Sequence, residues 1–505
     1  MGTLTVIPTG EATGIICLER CSPIRIFGTE TIRNSFGEKT LEQAVNARLC
    51  PGITNVALTP DAHVGYGAPI GCVMTSPSHI YPGPVGVDIN CSMSLLQFEL
   101  PEEALNGEKS VRRSIIQAIE KRVPTGVGKK RSPAVSKFPI ELIKKSIVEG
   151  PTPEVCDAMD IPREWTLRCE ESCRVGHDGT KDSLASRFDV LFRQFEEERI
   201  GADIIESKLR QLGSLGGGNH FAECEVVRLA EQEKRWEGDS TNPSVAQTFG
   251  LKDGNIAFLT HCGSRGFGNL LAQRQFALLK KKFQLWVIPF PGGDANLVYA
   301  PLGTQEADDY IDDMTLGANF ATLNHLLINL QVLNAFQEVF PGVQGKLVYY
   351  ISHNIAKREV VDGSLQWVHR KGATRAFPAN HFALAETPFA KTGHPILLPG
   401  NPLQGSSVMV ALEGAKESFY SVNHGAGRAK GRRDAMRLLD QNEVDSEFDS
   451  ADVLTNCRQY PRDEAPAAYK DFNEVLRSVE LAGLAREVAR LKARFVIKDS
   501  STPDD

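Results

Sequence analysis

No stretch of this 505-residue chain approaches the ~20 uninterrupted apolar residues that a membrane span requires. The opening residues MGTLTVIPTGEATG lack the basic-then-apolar layout of a secretory signal, so a cytoplasmic setting is expected, or a nuclear one in a eukaryote. No C-x-x-C pair occurs among the 11 cysteines. Their odd number and wide scatter exclude a disulfide framework and leave reduced thiols, some of which can bind metal. Basic charge is not in surplus. The 56 Lys and Arg stand against 63 Asp and Glu, a net −7, which excludes wrapping of nucleic acid by a broad positive field but leaves room for a local basic cleft. No repeat period is present, which excludes solenoids, and only the acidic end Asp499–Asp505 is expected to be a disordered tail.

What is there is a globular composition, 41% hydrophobic and 24% charged. Short apolar runs alternate with helical segments, the pattern of an α/β fold. KLVYYI (Lys346–Ile351) and NIAFLT (Asn255–Thr260) read as buried strands. Leu323, Leu326, Leu327, Leu330, Leu333 and Phe340 recur at helical spacing in a segment that begins near Gln305, which predicts one long amphipathic helix. Leu484, Val488 and Leu491 share a helical face and predict a second. Gly150–Asp182 and Glu231–Gln247, rich in charge and turn residues, read as surface insertions too short and too polar to be domains. One α/β body over 1–498, with excursions at 150–182 and 231–247, is therefore expected.

Five strand-like runs lead into Gly-rich or polar turns that carry His, Asp or Cys. They read GPVGVDINC (Gly83–Cys91), LGSLGGGNHFAE (Leu212–Glu223), LTHCGSRG (Leu259–Gly266), YYISHNIAK (Tyr349–Lys357) and VNHGAGR (Val422–Arg428). Strand ends of one sheet can converge, so Asp88, Cys91, His220, His261 and His353 are a candidate ligand set. One carboxylate, one thiolate and three imidazoles suit borderline divalent ions such as manganese, iron, cobalt or zinc, and a thiolate can bridge two ions. Any one of these histidines alone would more often be a core or turn residue; the group decides. The glycine-rich turns at 213–218, 263–266 and 425–428 can present backbone N–H groups to phosphate, with Arg265 and Arg428 adding charge.

With these motifs in order, the chain resembles the RtcB family of RNA-splicing ligases. The resemblance rests on PDAHVGYGAPIG (Pro60–Gly71), GVDINC, LGSLGGGNHFAE, HCGSRGFG, SHNIAK, VHRKGATRAFP (Val368–Pro378), NHGAGRAKGRR (Asn423–Arg433) and the late VIK (Val496–Lys498), from about Glu42 to Lys498. It implies mixed sheets around a central metal and nucleotide cleft with helices outside. It also implies a GTP- and manganese-dependent ligase that joins an RNA 2′,3′-cyclic phosphate or 3′-phosphate to a 5′-hydroxyl end, in tRNA splicing or RNA repair. On the matching positions, Asp88, Cys91, His220, His261 and His353 hold two Mn2+ ions with Cys91 bridging, and His424 becomes guanylylated. Asp61 stands near that histidine. Asn219, Glu223, Asn354, Ser406, Gly425, Ala426, Gly427 and Lys498 hold GMP or GTP. An archease-type activator is the protein partner the resemblance adds. In PGNPLQGSS (Pro399–Ser407) a proline and a leucine stand where the family has small residues, so a different hold on the nucleotide is expected there.

Basic clusters at Lys129–Arg131, Arg370–Lys371, Arg375 and Arg428–Arg433 are the expected RNA path, with Arg265, Lys371, Arg428, Arg432 and Arg433 as contacts. His325 and the pair Cys169 and Cys173 are read as structural. Two other classes fit parts of the sequence: a manganese phosphoesterase or nuclease on the same scaffold, and a non-catalytic RNA-binding subunit. Neither needs a covalent nucleotide carrier such as His424, which favours the ligase.

Overall fold

The structure is a computed structural model, and it describes residues 4–105, 109–126, 131–170, 181–198, 200–234 and 243–499. Lys129, Lys130, Cys173, His177, the tail beyond 499 and, of the two expected insertions, residues 171–180 and 235–242 lie outside the described residues. In chain order the strands are β1 (Ile7–Gly10), β2 (Thr13–Ile16), β3 (Ile24–Phe27), β4 (Asn55–His63), β5 (Ile70–Ser76), β6 (His79–Ile80), β7 (Ser92–Pro101), β8 (Phe221–Leu229), β9 (Asn255–Cys262) and β10 (Ala300–Pro301). They continue with β11 (Gly345–Ser352), β12 (Asn354–Val361), β13 (Ser364–Lys371), β14 (Ala373–Arg375), β15 (Pro395–Asn401), β16 (Gly405–Ala411), β17 (Ser421–Asn423), β18 (Leu454–Thr455) and β19 (Ala485–Lys498).

Two large sheets share the work. The first runs β1-β2-β3-β4-β5-β13-β12, and the second runs β11-β7-β9-β8-β19-β16-β15, with β18 beside β19. In the second sheet every neighbour on the main path is antiparallel, and only β18 joins parallel. Its strand β9 is buried along its whole length, so NIAFLT reads as an apolar run instead of alternating. The mixed α/β architecture expected from the sequence is the one present.

Helices pack on the second sheet, and the longest is Gln305–Val339. Thr304 caps it by accepting from the Ala307 N–H, and Glu306 and Asp308 in its first turn suit the positive end of the helix dipole. The expected amphipathic stripe is not what the structure shows. Every residue from 313 to 329 is buried, because strands cover one side and the helices Lys109–Glu120, Ile140–Glu149, Lys181–Glu197 and Arg265–Leu285 cover the other. Polar residues from 313 to 329 are therefore inside and find partners there: Asn319 donates to Ile147 O at 2.9 Å, and Asp313 binds Arg187. A helix buried all round is recognised by where its polar groups point, which spacing does not reveal.

The predicted helix at 484–491 is a strand. β19 lies between β8 and β16, and its apolar residues are buried by sheet pairing on both sides, with bulges opposite Val408/Met409 and at Ala493/Phe495. A spacing of four and three satisfies a doubly covered, bulged strand as well as a helix face, and the tertiary pairing decides. The described part of the first expected insertion is not superficial either. Val155, Cys156, Met159, Ile161, Trp165 and Cys169 are buried in the main core. Among the described residues no helix is long and apolar enough to cross a membrane.

Arg187 pairs with Asp313 through two hydrogen bonds of 2.7 and 2.9 Å and reaches Asp309 at 3.0 Å, tying the helix Lys181–Glu197 to the long helix. The Asp313 side chain is 1% exposed, and burial pushes its carboxyl up against the pull of Arg187. Arg187→Ala is expected to cost about 3–5 kcal/mol, because it strands a buried carboxylate. Chemical denaturation checks this against Lys144→Ala, which breaks an exposed pair with Glu141 and is expected to cost less than about 1 kcal/mol.

Candidate active site

The site forms where antiparallel strands alternate direction. Ser92 at the start of β7 faces Ser352 at the end of β11 and Cys262 at the end of β9, while Phe221 at the start of β8 faces His261. Three of the expected positions shift accordingly: Asp88, Cys91 and His220 precede their strands instead of following them. Starts of β7 and β8 meet ends of β9 and β11 at one edge, which is what brings residues 88 to 353 together.

Cys91 Sγ stands 3.2 Å from His261 Nε2 and 3.5 Å from His220 Nε2. His220 Nε2 is 2.9 Å from Asp88 Oδ2, and His261 Nε2 is 3.3 Å from His353 Nε2. The ligand atoms of Cys91, His261 and His353 lie within 4.8 Å of one another, as do those of Asp88, Cys91 and His220, so Cys91 belongs to both groups. Burial and neighbouring imidazoles hold His261 and His353 well below the ordinary histidine range, which keeps their lone pairs free. Burial acts to lower His220 too, but Cys262 and Asp88 outweigh it and lift its pKa to about 9. Burial and Asp88 push the Cys91 thiol up. A buried sulfur ringed by imidazole lone pairs is repulsive or proton-bridged by itself and satisfied by a cation. The donor set thus fits a borderline divalent metal, or two sharing the sulfur.

Second-layer contacts aim these ligands. Asn219 O lies 3.2 Å from His261 Nδ1 and, being an acceptor, puts the proton there and the lone pair on Nε2. Asn324 on the long helix donates to Cys262 Sγ and Gly263 O, both at 3.2 Å. His325 is neither solvated nor idle: Nε2–H donates to Cys262 O at 3.1 Å, which leaves Nδ1 to accept from Ser94 Oγ at 2.8 Å.

His424 follows β17, and its ring lies 4.6 Å from that of His353. Its Nδ1 faces two acceptors, Asp61 Oδ2 at 2.7 Å and Gly372 O at 2.8 Å. Both can only accept, so Nδ1 carries the proton and Nε2 carries the lone pair. Asp61 is fully buried and also accepts from Thr59 Oγ1 at 2.6 Å and from the His424 N–H at 3.3 Å. Two glycines make this approach possible. A Cβ on Gly427, at φ +75°, would come 2.4 Å from Asp61 O, and one on Gly372, at φ +64°, would come 2.4 Å from Ile70 Cγ2 and 3.1 Å from the His424 ring.

A cavity opens beside this histidine. Asn219, Glu223, Gly425, Ala426, Gly427 and Lys498 of the expected nucleotide set line it. So do Pro399, Gly400, Asn401 and Pro402 of the divergent loop. Asn354 and Ser406 lie nearby but are turned to the fold: Asn354 Oδ1 accepts from the Gly372 N–H at 2.9 Å, and Ser406 is buried in β16. Lys498 Nζ donates to Gly218 O at 2.8 Å and pairs with Glu464 at 3.1 Å. Burial pushes Glu223 up, against Lys498, to about 7.

The basic residues divide. Arg428 and Arg432 line the cavity and pair with Glu464 at 3.1 and 2.8 Å, while Arg433 is exposed beside them. Arg265 spends its guanidinium on Ser214 Oγ and Gly126 O. Lys371 is buried, with its ammonium on Tyr66 O and Gly83 O, and Arg370 is fully buried in a two-bond pair with Glu359. That cluster is not a surface RNA could touch. Sequence reasoning missed Glu464, Tyr460 and Tyr469 of the cavity wall; the acidic pair in RDEAPAAYK beside an apolar turn was the available signal.

Comparison with known proteins bears on this arrangement. A family model described as tRNA-splicing ligase RtcB matches residues 43–499. The chain is 32% identical over 494 residues to a protein named tRNA-splicing ligase RtcB from Pyrobaculum aerophilum, covering 94% of each. It is 33% identical over 494 residues to one of the same name from Nanoarchaeum equitans, covering 94% of this chain and 95% of the relative. A third, from Thermococcus kodakarensis, is 32% identical over 481 residues, covering 91% of each.

The shared sulfur separates the ligands by effect. Cys91→Ala is expected to remove bound divalent metal from both groups, whereas His353→Ala and His220→Ala each remove it from one. Elemental analysis of the three purified variants, by metal-to-protein ratio, reads this directly.

Proposed function

The chain belongs to the RtcB family of tRNA-splicing ligases and is an RNA ligase, and we propose that it joins RNA 2′,3′-cyclic phosphate or 3′-phosphate ends to 5′-hydroxyl ends through a GMP-histidine on His424. The observation that carries this reading is the His424 imidazole. It lines the cavity, its Nδ1 proton is committed to Asp61 and Gly372, and its Nε2 lone pair is left for attack beside the metal-ligand cluster. Neither a hydrolase nor a binding subunit needs a covalent nucleotide carrier.

In the proposed order, His424 Nε2 attacks the α-phosphorus of GTP, a P–N bond forms and the P–O bond to pyrophosphate breaks. Asp61 supports the positive charge that develops on the ring. Water opens the RNA cyclic phosphate to a 3′-phosphate and a 2′-hydroxyl. An oxygen of that 3′-phosphate then attacks the guanylyl phosphorus, breaking the P–N bond and restoring His424. The 5′-hydroxyl of the second RNA attacks the RNA-borne phosphorus and expels GMP, which closes the phosphodiester. Two Mn2+ ions, held by Asp88, Cys91, His220, His261 and His353, would neutralise phosphate oxygens.

Gly425, Ala426 and Gly427 are proposed to lie along the nucleotide phosphate, with Asn219, Glu223 and Lys498 toward the base and Asn354 and Ser406 supporting them. Arg428, Arg432 and Arg433 are the proposed RNA-phosphate contacts, because they stand at the cavity and its rim. Arg265 and Lys371 act in this reading by shaping loops. The ligase domain is taken to span 1–498, in a cytoplasmic or nuclear setting.

Incubation with labelled GTP and manganese, with and without an archease-type activator, is expected to give a covalent protein-GMP adduct that His424→Ala abolishes. Asp61→Asn places an amide donor against Nδ1 and favours the wrong tautomer. It is expected to slow adduct formation by about 10²–10⁴-fold, with the fold retained. Phosphatase activity without any adduct would sink the ligase reading.

A further inference from the structure

A lysine that no motif singled out lies behind the nucleophile. Lys470 is 6% exposed and follows the turn that carries Glu464 and Tyr469. Its Nζ donates to Pro60 O at 3.0 Å and Ala62 O at 2.9 Å, the carbonyls on either side of Asp61. The carbonyl between them, Asp61 O, lies 2.8 Å from His63 Nδ1, so three consecutive carbonyls of β4 are held by side chains instead of by a neighbouring strand. The β4–β5 register confirms the gap: pairing breaks between Leu58 and His63. Without a ladder there, the position of Asp61 depends on those side chains.

The same residue also ties the other partner of the dyad. Its backbone N–H donates to Gly427 O at 2.9 Å, fixing the loop that carries His424. Its ammonium sits 4.6 Å from the Phe36 ring centroid, which forms an apolar floor beneath a cation. The charged or titratable groups that face it are Asp61 and His63. Burial lowers the ammonium to about 8 against the pull of Asp61, so it is mostly charged at neutral pH.

We propose that Lys470 is a positioning residue for guanylyl transfer, holding Asp61 in place so that the His424 Nδ1–H is fixed and Nε2 is aimed. This rests on the proposed role of His424. Lys470 itself touches no substrate: its ammonium is spent on the backbone of β4, and it is absent from the cavity wall. A displacement of the dyad by about 1 Å is the kind of change that slows a transfer step by about 10²-fold without weakening substrate binding.

The test uses the full chain with Lys470→Met, which removes both charge and donors, and Lys470→Gln, which keeps a donor without the charge. At saturating GTP the rate of protein-GMP formation is expected to fall about tenfold or more in Lys470→Met, and less in Lys470→Gln. The GTP concentration for half-maximal rate is expected to stay within about twofold, since nothing that holds the nucleotide is removed. Selective 15N-histidine NMR of the free protein supplies a second readout: His424 is expected to be the Nδ1–H tautomer in the wild type and mixed in Lys470→Met. Unchanged rates in both variants overturn the proposal. A rise in half-saturation that matches the fall in rate also overturns it, by making Lys470 a wall of the pocket. If the wild type forms no adduct, the guanylylation reading fails, and the tautomer alone then decides: a pure Nδ1–H signal in Lys470→Met overturns the positioning role, and a mixed one supports it. If Lys470→Met does not fold, Lys470→Gln carries the same measurements.

Discussion

The Cys91 sulfur has imidazole nitrogens at 3.2 and 3.5 Å and belongs to two groups of ligands at once. Bringing that much lone-pair density into a buried space is unfavourable unless positive charge enters with it, so the cluster is a commitment of the fold to a cation. The constraint propagates outward. Antiparallel alternation in β11-β7-β9-β8 places the five ligand positions at one edge. The long helix, buried all round, then has to supply polar groups to the turn behind them, which Asn324 and His325 do.

The site also lies where the two large sheets meet. β11 of one sheet ends at Ser352 and β12 of the other begins at Asn354, so His353 occupies the single residue between them. That crossing is pinned: Glu170 accepts from the Ser352 N–H at 3.0 Å and from its hydroxyl at 2.6 Å. On the far side, β4 contributes Asp61 and the turn after β13 contributes Gly372, both to His424. One sheet therefore carries the candidate metal ligands and the other carries the groups that set the His424 tautomer. The 4.6 Å between the His353 and His424 rings is the seam.

Charge is used inside as much as at the surface. Glu170 pairs with Lys357 at 3.0 Å and with Arg375 at 3.1 Å, and Glu359 pairs with Arg370 at 2.7 Å, all nearly excluded from water. Such pairs are a weak source of net stability, because desolvation offsets much of the attraction, but losing one partner is costly. Their effect here is to hold strands β12, β13 and β14 in one arrangement around the crossing. The cavity wall repeats the device with Glu464, which Lys498, Arg428 and Arg432 hold at a pKa of about 2 against burial.

By itself the sequence determined the α/β class and the strands at 255–260 and 346–351, and it brought Asp88, Cys91, His220, His261, His353 and His424 forward as candidates, because strands follow local periodicity and candidates follow residue chemistry and motif order. It left open whether 484–491 was helix or strand, since one spacing serves both. It also could not separate Arg370 and Lys371, buried and paired, from Arg428 and Arg432 at the cavity, since a cation reads the same in a chain whichever way it faces. Tertiary structure decided those points, together with the roles of Glu464, Asn324 and Lys470. The reason is common to all of them: a buried polar group is defined by the partner that satisfies it, and here those partners lie tens to hundreds of residues away, brought near only by the alternation of strands and the meeting of two sheets.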